Sequence, residues 1–493
     1  MPPAPSPRRR LLWWALGLFV LGALAYAGLS WQRKNADRHI AMAGVPPQPA
    51  LEGWPAELRA RLTAQEDAIF AGNKAAEALG TLAALYHANG FYAEAQQAYT
   101  TLRELQPREP RWAHFAADIH AVFGELDEAV PLWQTTVRLA PDYVPARVRL
   151  GEAELKRGRL DQANASFSAA LEREPDNPYA QLGLARVDIA RDAWPAARAK
   201  LEKIARQTEG LLGADLLATA FEQTGEPQRG TALRARQKSH GLYVGIADPW
   251  VNALMDECFD PYRLALESGT ANIRGDGTRA RQLLERALRL DPKDANLHFQ
   301  AGTLAEQRGD LPTARNELQA AVRSDPKLTD AWAAWVRVLA AAGDPAGSWR
   351  VLSEGLTLNP ESPVLLLERG RRFKAQGRTE AAMADLRRVT QLRRDEALAF
   401  VELASLYFAQ ERTDEGIQIL EQGLVAEPGH PAALAILTFA CIHSGQRAAA
   451  ERWLREVQDQ PRVSAAEVQK LRQAYQEKFG QPPPSATPSI SIR

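Results

Sequence analysis

Prolines 107, 141 and 175 close the motifs ELQP, RLAP and EREP, and each lies 34 residues after the one before. A second series, RLDP, RSDP and TLNP, places Pro292, Pro326 and Pro360 on the same interval, and two further periods reach Pro428 in VAEP. The skipped step falls at Arg394 in the degenerate QLRRDE. Glycines keep the beat seventeen residues ahead, at Gly90, Gly124, Gly158, Gly275, Gly309, Gly343, Gly377 and Gly445. Alanines keep it twelve residues ahead, at Ala95, Ala129, Ala163, Ala197, Ala280, Ala314 and Ala382. Three residue types in one phase restrict the chain to a stack of similar units, each leaning on its neighbours. Counting domains from the 493-residue length is therefore the wrong guide.

Each residue type has a physical role in a helix-turn-helix unit. Glycine lets the chain reverse sharply between helices. The alanine lets the second helix approach the first. A large residue four positions on (Tyr99, Trp133, Phe167, Leu284, Leu318) fills their contact. Proline stops the second helix, because it has no N–H to continue the ladder. Apolar residues recur at three and four within each half, as in LGTLAALY and AEAQQAYTTL.

By period and in-phase residues the chain resembles the tetratricopeptide repeat (TPR) family over about residues 76–464. RVRLGEAELKRGRLDQANASFSAALEREPDN carries Leu150, Gly151, Gly158, Ala163, Phe167, Ala170 and Pro175 in place. Repeats start near 76, 110, 144, 178, 295, 329, 363, 397 and 431; a weaker one starts near 212, and another ends at Pro292. The resemblance implies an all-α, right-handed α-solenoid of about ten to eleven helix pairs. The expected sub-arrays are 59–240 and 265–464, followed by a capping helix at 465–480 and a disordered tail at 481–493.

The comb breaks at residues 241–264. Pro175 to Pro292 is 117 residues, three periods plus 15. The interrupting GLYVGIADPWVNALMDECFDPYRL gathers Tyr243, Trp250, Phe259 and Tyr262 with Asp248, Asp256, Glu257 and Asp260. It reads either as an extra helix capping the first array and bending into the second, or as an aromatic and acidic contact site. The first is the expectation, because aromatics at helical spacing usually pack. The pairing of LYHANGF with DPWVNALMDECFDPYRL resembles a group of membrane-anchored bacterial TPR proteins of undefined function.

A different signal stands at the N-terminus. After a tail of residues 1–10 ending in three arginines, residues 11–31 (LLWWALGLFVLGALAYAGLSW) hold no charge. Twenty-one residues at 1.5 Å each span about 30 Å, a bilayer core. Trp13, Trp14 and Trp31 sit near its ends, where indoles favour the interface. The expectation is an uncleaved signal-anchor; ALAYA at 23–27 offers the alternative of signal-peptide cleavage. Flanking charges are nearly balanced, and an Arg-Arg-Arg tail is hard to export, so the repeats are expected outside the cytoplasm, on the periplasmic side of an inner membrane. Residues 32–58, with GVPPQPALEGWP, read as a Pro-rich linker.

Several function classes are disfavoured. Sixty basic residues balance sixty acidic ones, so no general basic field attracts nucleic acid. Cys258 and Cys441 lie more than five repeats apart, too far along a solenoid for a disulfide, and there is no C-x-x-C. Eight histidines form no H-E-x-x-H; His114 and His120 fall on different helix faces and read as ordinary helix residues. No phosphate loop or nucleophile elbow occurs, and the GDG at 275–277 sits at a turn. No cofactor, metal site or enzymatic activity is expected.

The resemblance implies that the first helix of each pair lines a concave groove for a protein or peptide partner. Carried over repeat by repeat, it nominates Arg149, Arg186, Phe299, Arg337, Arg371, Lys374 and Phe408. Gly80, Ala84 and Arg149 do not supply the Lys and Asn set of a carboxylate clamp. RGRRFKAQGR, 369–378, makes one groove segment basic, suited to an acidic peptide unless it is only solvated surface. The expected function is a membrane-tethered interaction scaffold in assembly of cell-envelope complexes. A structural, self-associating spacer is the alternative, and a non-catalytic subunit of an envelope enzyme complex a weaker one.

Overall fold

The computed structural model describes residues 35–72, 74–207, 213–236, 245–460 and 463–483, with Tyr26 and Gln32. The apolar run 11–31, apart from Tyr26, and residues 484–493 of the expected tail lie outside the described residues. Among the described residues no helix is long and apolar enough to cross a membrane.

The described elements are helices, without a strand. Among the described residues eleven helix pairs follow one another, from Ala75–Ala88 with Tyr92–Leu105 to Pro431–His443 with Arg447–Asp459. The helix Ala56–Ala71 precedes them, and Ala465–Phe479 packs on the last pair. A short helix, Pro249–Leu254, runs into the 3-10 turn Met255–Glu257 between the fifth and sixth pairs.

The turns follow the residue beat. Gly124 has φ +77°, and its N–H caps the helix Pro110–Val122 by bonding the Ala121 carbonyl at 3.1 Å. Where the beat lacks glycine the backbone holds the same conformation anyway: Asp192 and Glu411, each 34 residues past a glycine of the series, have φ +59° and +61°. The closing position behaves likewise. Gln106, before Pro107, has φ −129°, as the pre-proline clash favours; Arg393, before Arg394, also has φ −129°. Stacking imposes the unit geometry even where the favoured residue is missing.

The small positions are closed to solvent. Ala95, Ala129, Ala163, Ala197, Ala280, Ala314 and Ala382 are fully buried. One period after Ala314 stands Ser348, buried, whose Oγ donates to the Val336 carbonyl at 2.6 Å and so needs no water. Phe167 shows how tight the stack is: a Cβ on Gly151 would lie 2.7 Å from its ring, and one on Gly183 nearer still. Each such buried side chain contributes about 1.5–3 kcal/mol.

The chain divides into two compact units. The first comprises residues up to 207 together with 243–266; the second comprises 208–242 and the chain from 267 on. The pair Ala214–Gln223 and Pro227–Arg236, which the sequence reading put in the N-terminal array, thus groups with the second unit. The second unit has its own core around Trp332, Trp335, Val351 and Leu365 and another around Leu420, Leu437, Cys441 and Tyr475.

Candidate functional site

The interrupting segment does not sit at the end of the first array as a cap. It folds back along the face presented by the first helices of the pairs, in reverse order: Asp248 lies against the second and third pairs, Glu257 and Phe259 against the first. The sequence expectation of a simple capping helix is corrected here, for a specific polar reason.

Asp248 is almost fully buried, which by itself would raise its pKa, yet it is surrounded by donors. His114 Nε2 is 2.7 Å from one carboxylate oxygen, and Arg149 Nε donates to the same oxygen at 3.0 Å. The Tyr143 hydroxyl donates to the other oxygen at 2.5 Å. These bonds and the charges of His114 and Arg149 outweigh burial and hold the carboxyl well below the usual range. Asp248 also accepts the Val251 N–H at 3.2 Å, so one side chain both docks the segment and caps its short helix. Burial, followed by the neighbouring Asp248 charge, pushes the Tyr143 phenol well up, so it remains a donor.

Trp250 completes this end. Its indole stacks on Tyr143, ring centroids 3.6 Å apart and planes 7° off parallel, while His114 meets it edge-on at 5.5 Å. Its backbone N–H donates to the Tyr143 hydroxyl at 3.1 Å. Tyr143 therefore reads the carboxylate, the following backbone and the aromatic ring of Asp-Pro-Trp at once.

The other end is read through the main chain. Asn89 Nδ2 donates to the Glu257 carbonyl at 2.9 Å, and the Phe259 N–H donates to Asn89 Oδ1 at 2.6 Å. Arg61 pairs with the Glu257 carboxylate at 2.5 Å, and Arg263 Nη1 donates to the Tyr92 hydroxyl at 2.8 Å. Between array and segment an open cleft of about 450 Å³ remains, lined by Gly80, Thr81, Ala84, Trp112 and Phe115 opposite Trp250 and Leu254.

Behind the segment the array holds a buried polar chain. Arg149 Nη1 pairs with Asp118 at 2.8 Å, and His87 Nε2 lies 3.9 Å from the same carboxylate while its Nδ1 is 3.2 Å from the Tyr99 hydroxyl. Burial, opposed by Asp118 and assisted by Arg263 and His114, lowers the His87 pKa to about 4, so its ring is neutral at pH 7. The Tyr99 hydroxyl then donates to Nδ1, and Nε2 carries the proton facing Asp118.

Of the nominated groove residues, Arg149 lies at this centre. Arg186 is half-buried in the same unit. In the second unit Arg337 forks onto Glu306 through two bonds of 2.8 Å. Arg371 Nε is 3.3 Å from Glu402, and Lys374 donates to Glu402 and Ser405, both at 2.6 Å, so one carboxylate takes up two cations of the basic stretch. Phe299 and Phe408 pack, partly buried, on the second unit's cores. Sequence reasoning passed over Asn89, Asp118 and Tyr143 and set His114 aside as ordinary. Their partners lie 134 residues away for His114 and 105 for Tyr143, so no local spacing points to them. Both cysteines are buried, and burial pushes the Cys441 thiol up to about 11. Among the described residues no group of three His, Cys, Asp or Glu is placed to hold a metal ion.

Two family profiles described as tetratricopeptide repeat match this chain, one over residues 154–219, 272–336 and 407–475, the other over 81–144 and 367–431. Cellulose synthase 1 operon protein C of Komagataeibacter xylinus is 23% identical over 192 residues, 36% of this chain and only 14% of that protein. Among solved structures, yeast Tom70 is similar over 83% of this chain and 96% of its own, at 14% identity and TM-score 0.39. PilF of Pseudomonas aeruginosa is similar over 43% and 96%, at 17% identity and TM-score 0.36. With the two profiles together spanning more than half of its residues, and helix pairs throughout the matched stretches, the chain belongs to the tetratricopeptide repeat family.

Proposed function

We propose that this protein is a non-catalytic interaction scaffold that holds a segment of a protein partner along its repeat arrays. The observation that carries the reading is the mode of binding at the first array. There Asn89 takes both sides of a peptide backbone, while Tyr143, Arg149 and His114 take the side chains. A surface built in this way recognises an extended or short helical peptide and has no arrangement for bond making or breaking.

Residues 11–31 tether the scaffold in the inner membrane, with the repeats on the periplasmic side, where it serves assembly of cell-envelope complexes. The uncharged 21-residue run after three arginines supports this part. The test is affinity purification of the full-length protein from gently solubilised membranes, with co-purifying proteins identified by mass spectrometry. A defined set of envelope proteins is the expected result. Cytoplasmic partners alone would overturn the orientation, and recovery of nothing but further copies of the chain would favour the self-associating spacer.

A further inference from the structure

We propose that the first array's inner face is a binding site for a partner segment carrying a carboxylate two residues ahead of an aromatic ring, and that residues 245–260 are its built-in competitor. This rests on the scaffold reading and deepens it by naming the chemistry of the partner and the device that withholds the site.

Partner chemistry follows from what the array offers. Tyr143, Arg149 and His114 converge on one carboxylate, at 2.5, 3.0 and 2.7 Å. The Tyr143 ring supplies a flat face 3.6 Å from an indole two residues on, and its hydroxyl accepts that residue's N–H. Asn89 supplies a main-chain clamp near a second carboxylate, which Arg61 holds. An acidic-aromatic peptide of the form Asp-Pro-Trp satisfies Tyr143, Arg149 and His114, and a second acidic residue nine positions on, as Glu257 is to Asp248, satisfies Asn89 and Arg61. A basic or purely aliphatic peptide would leave the Tyr143, His114 and Arg149 groups without the shared acceptor they converge on in a buried setting, which disfavours it.

Three observations make the segment a competitor rather than part of the array's core. Its helix is six residues long, far below the length at which a helix holds itself together, so its order comes from docking. The array has its own closed core: Tyr86, Tyr99, Phe167 and Leu201 are buried among the repeats. The segment also leaves an open cleft of about 450 Å³ beneath Trp250 and Leu254, so it does not fill the face that it covers. Tethering presents it at an effective concentration on the order of millimolar. A free partner segment of equal intrinsic affinity is excluded until the tether is weakened or until it brings additional contacts.

The test uses the full-length chain and a fluorescein-labelled synthetic peptide of residues 245–261 carrying C258S. Fluorescence anisotropy should show weak binding to the wild-type chain. Binding to the D248A/W250A chain, altered only in the tethered segment, should be at least tenfold tighter, and adding R149A should remove the gain. Equal affinity for wild-type and D248A/W250A chains, or indifference to R149A, would overturn the proposal. Should D248A/W250A not fold, the wild-type chain decides the matter by thiol labelling with a maleimide under native conditions. Cys258, in the segment, should react at least tenfold faster than Cys441, in the second unit's core, and faster again with unlabelled peptide present. Equal rates for the two thiols would refute segment release. Either negative result leaves the co-purified set of partners unchanged, so the scaffold reading is judged separately.

Discussion

Replacing Asp248 by Asn keeps the shape of the side chain and removes its charge. The amide retains one oxygen, which can go on accepting from Tyr143. Its NH2 then faces Arg149 Nε, a donor set against a donor, while His114 Nε2 accepts from it only if the ring proton moves to Nδ1, which is buried without a hydrogen-bond partner among the described residues. Hydrogen bonds to a charged group are worth about 1.5–3 kcal/mol each, so two lost bonds amount to about 3–6 kcal/mol. Two effects reduce this. The buried charge no longer has to be desolvated, and Arg149 is not stranded, because Asp118 still holds it at 2.8 Å. A net loss of about 2–4 kcal/mol remains, which is about a 30- to 1000-fold rise in the open population of the segment. Hydrogen exchange followed by mass spectrometry should find residues 245–260 exchanging faster by that factor, with the second unit unchanged. Less than a threefold change would refute the assignment of Asp248 as the docking group. So would equal acceleration throughout the first array, since the segment would then open only with the repeats.

Other expectations concern stability. His87 is held near a pKa of about 4 against an ordinary 6.5. Its folded value being depressed, its contribution is complete above pH 6.5 and is lost as pH falls toward 4. The loss is about 3 kcal/mol, and urea titrations of H87Q should flatten that slope. Gly183→Ala drives a Cβ into the Phe167 ring and should lower stability by about 1–3 kcal/mol in the same assay. Glu411→Gly should raise the thermal midpoint, with a stability gain of up to about 1 kcal/mol, because Glu411 sits at φ +61°. Asp192→Gly should gain less, since Asp192 accepts the Trp194 indole N–H at 2.6 Å. Glu402→Gln should change stability by less than about 1 kcal/mol, the pairs with Arg371 and Lys374 being partly exposed.

How far the sequence reached depended on the range of each interaction. The helix pairs were legible because their causes are local and repeated: a residue able to turn left-handed, a small residue, a large one four places on, a helix stop. Neighbouring units meet at separations near 34 residues, so the period that marks the units also marks their contacts. Even the gaps were readable in that frame, with Glu411 and Arg393 holding the geometry that Gly and pre-proline residues hold elsewhere.

The site was not legible in the same way. Asp-Pro-Trp stood out as aromatic and acidic, but its meaning depends on Tyr143, His114 and Asn89, which lie 105, 134 and 170 residues from their partners. A histidine on a helix, an asparagine before a turn and a tyrosine at a helix start are each unremarkable alone. By itself, then, the sequence determined the repeating unit, because that unit is stabilised by neighbours in the chain. Only the tertiary structure decided that residues 245–260 lie along the first array, because that contact joins a unique segment to a surface assembled from three repeats.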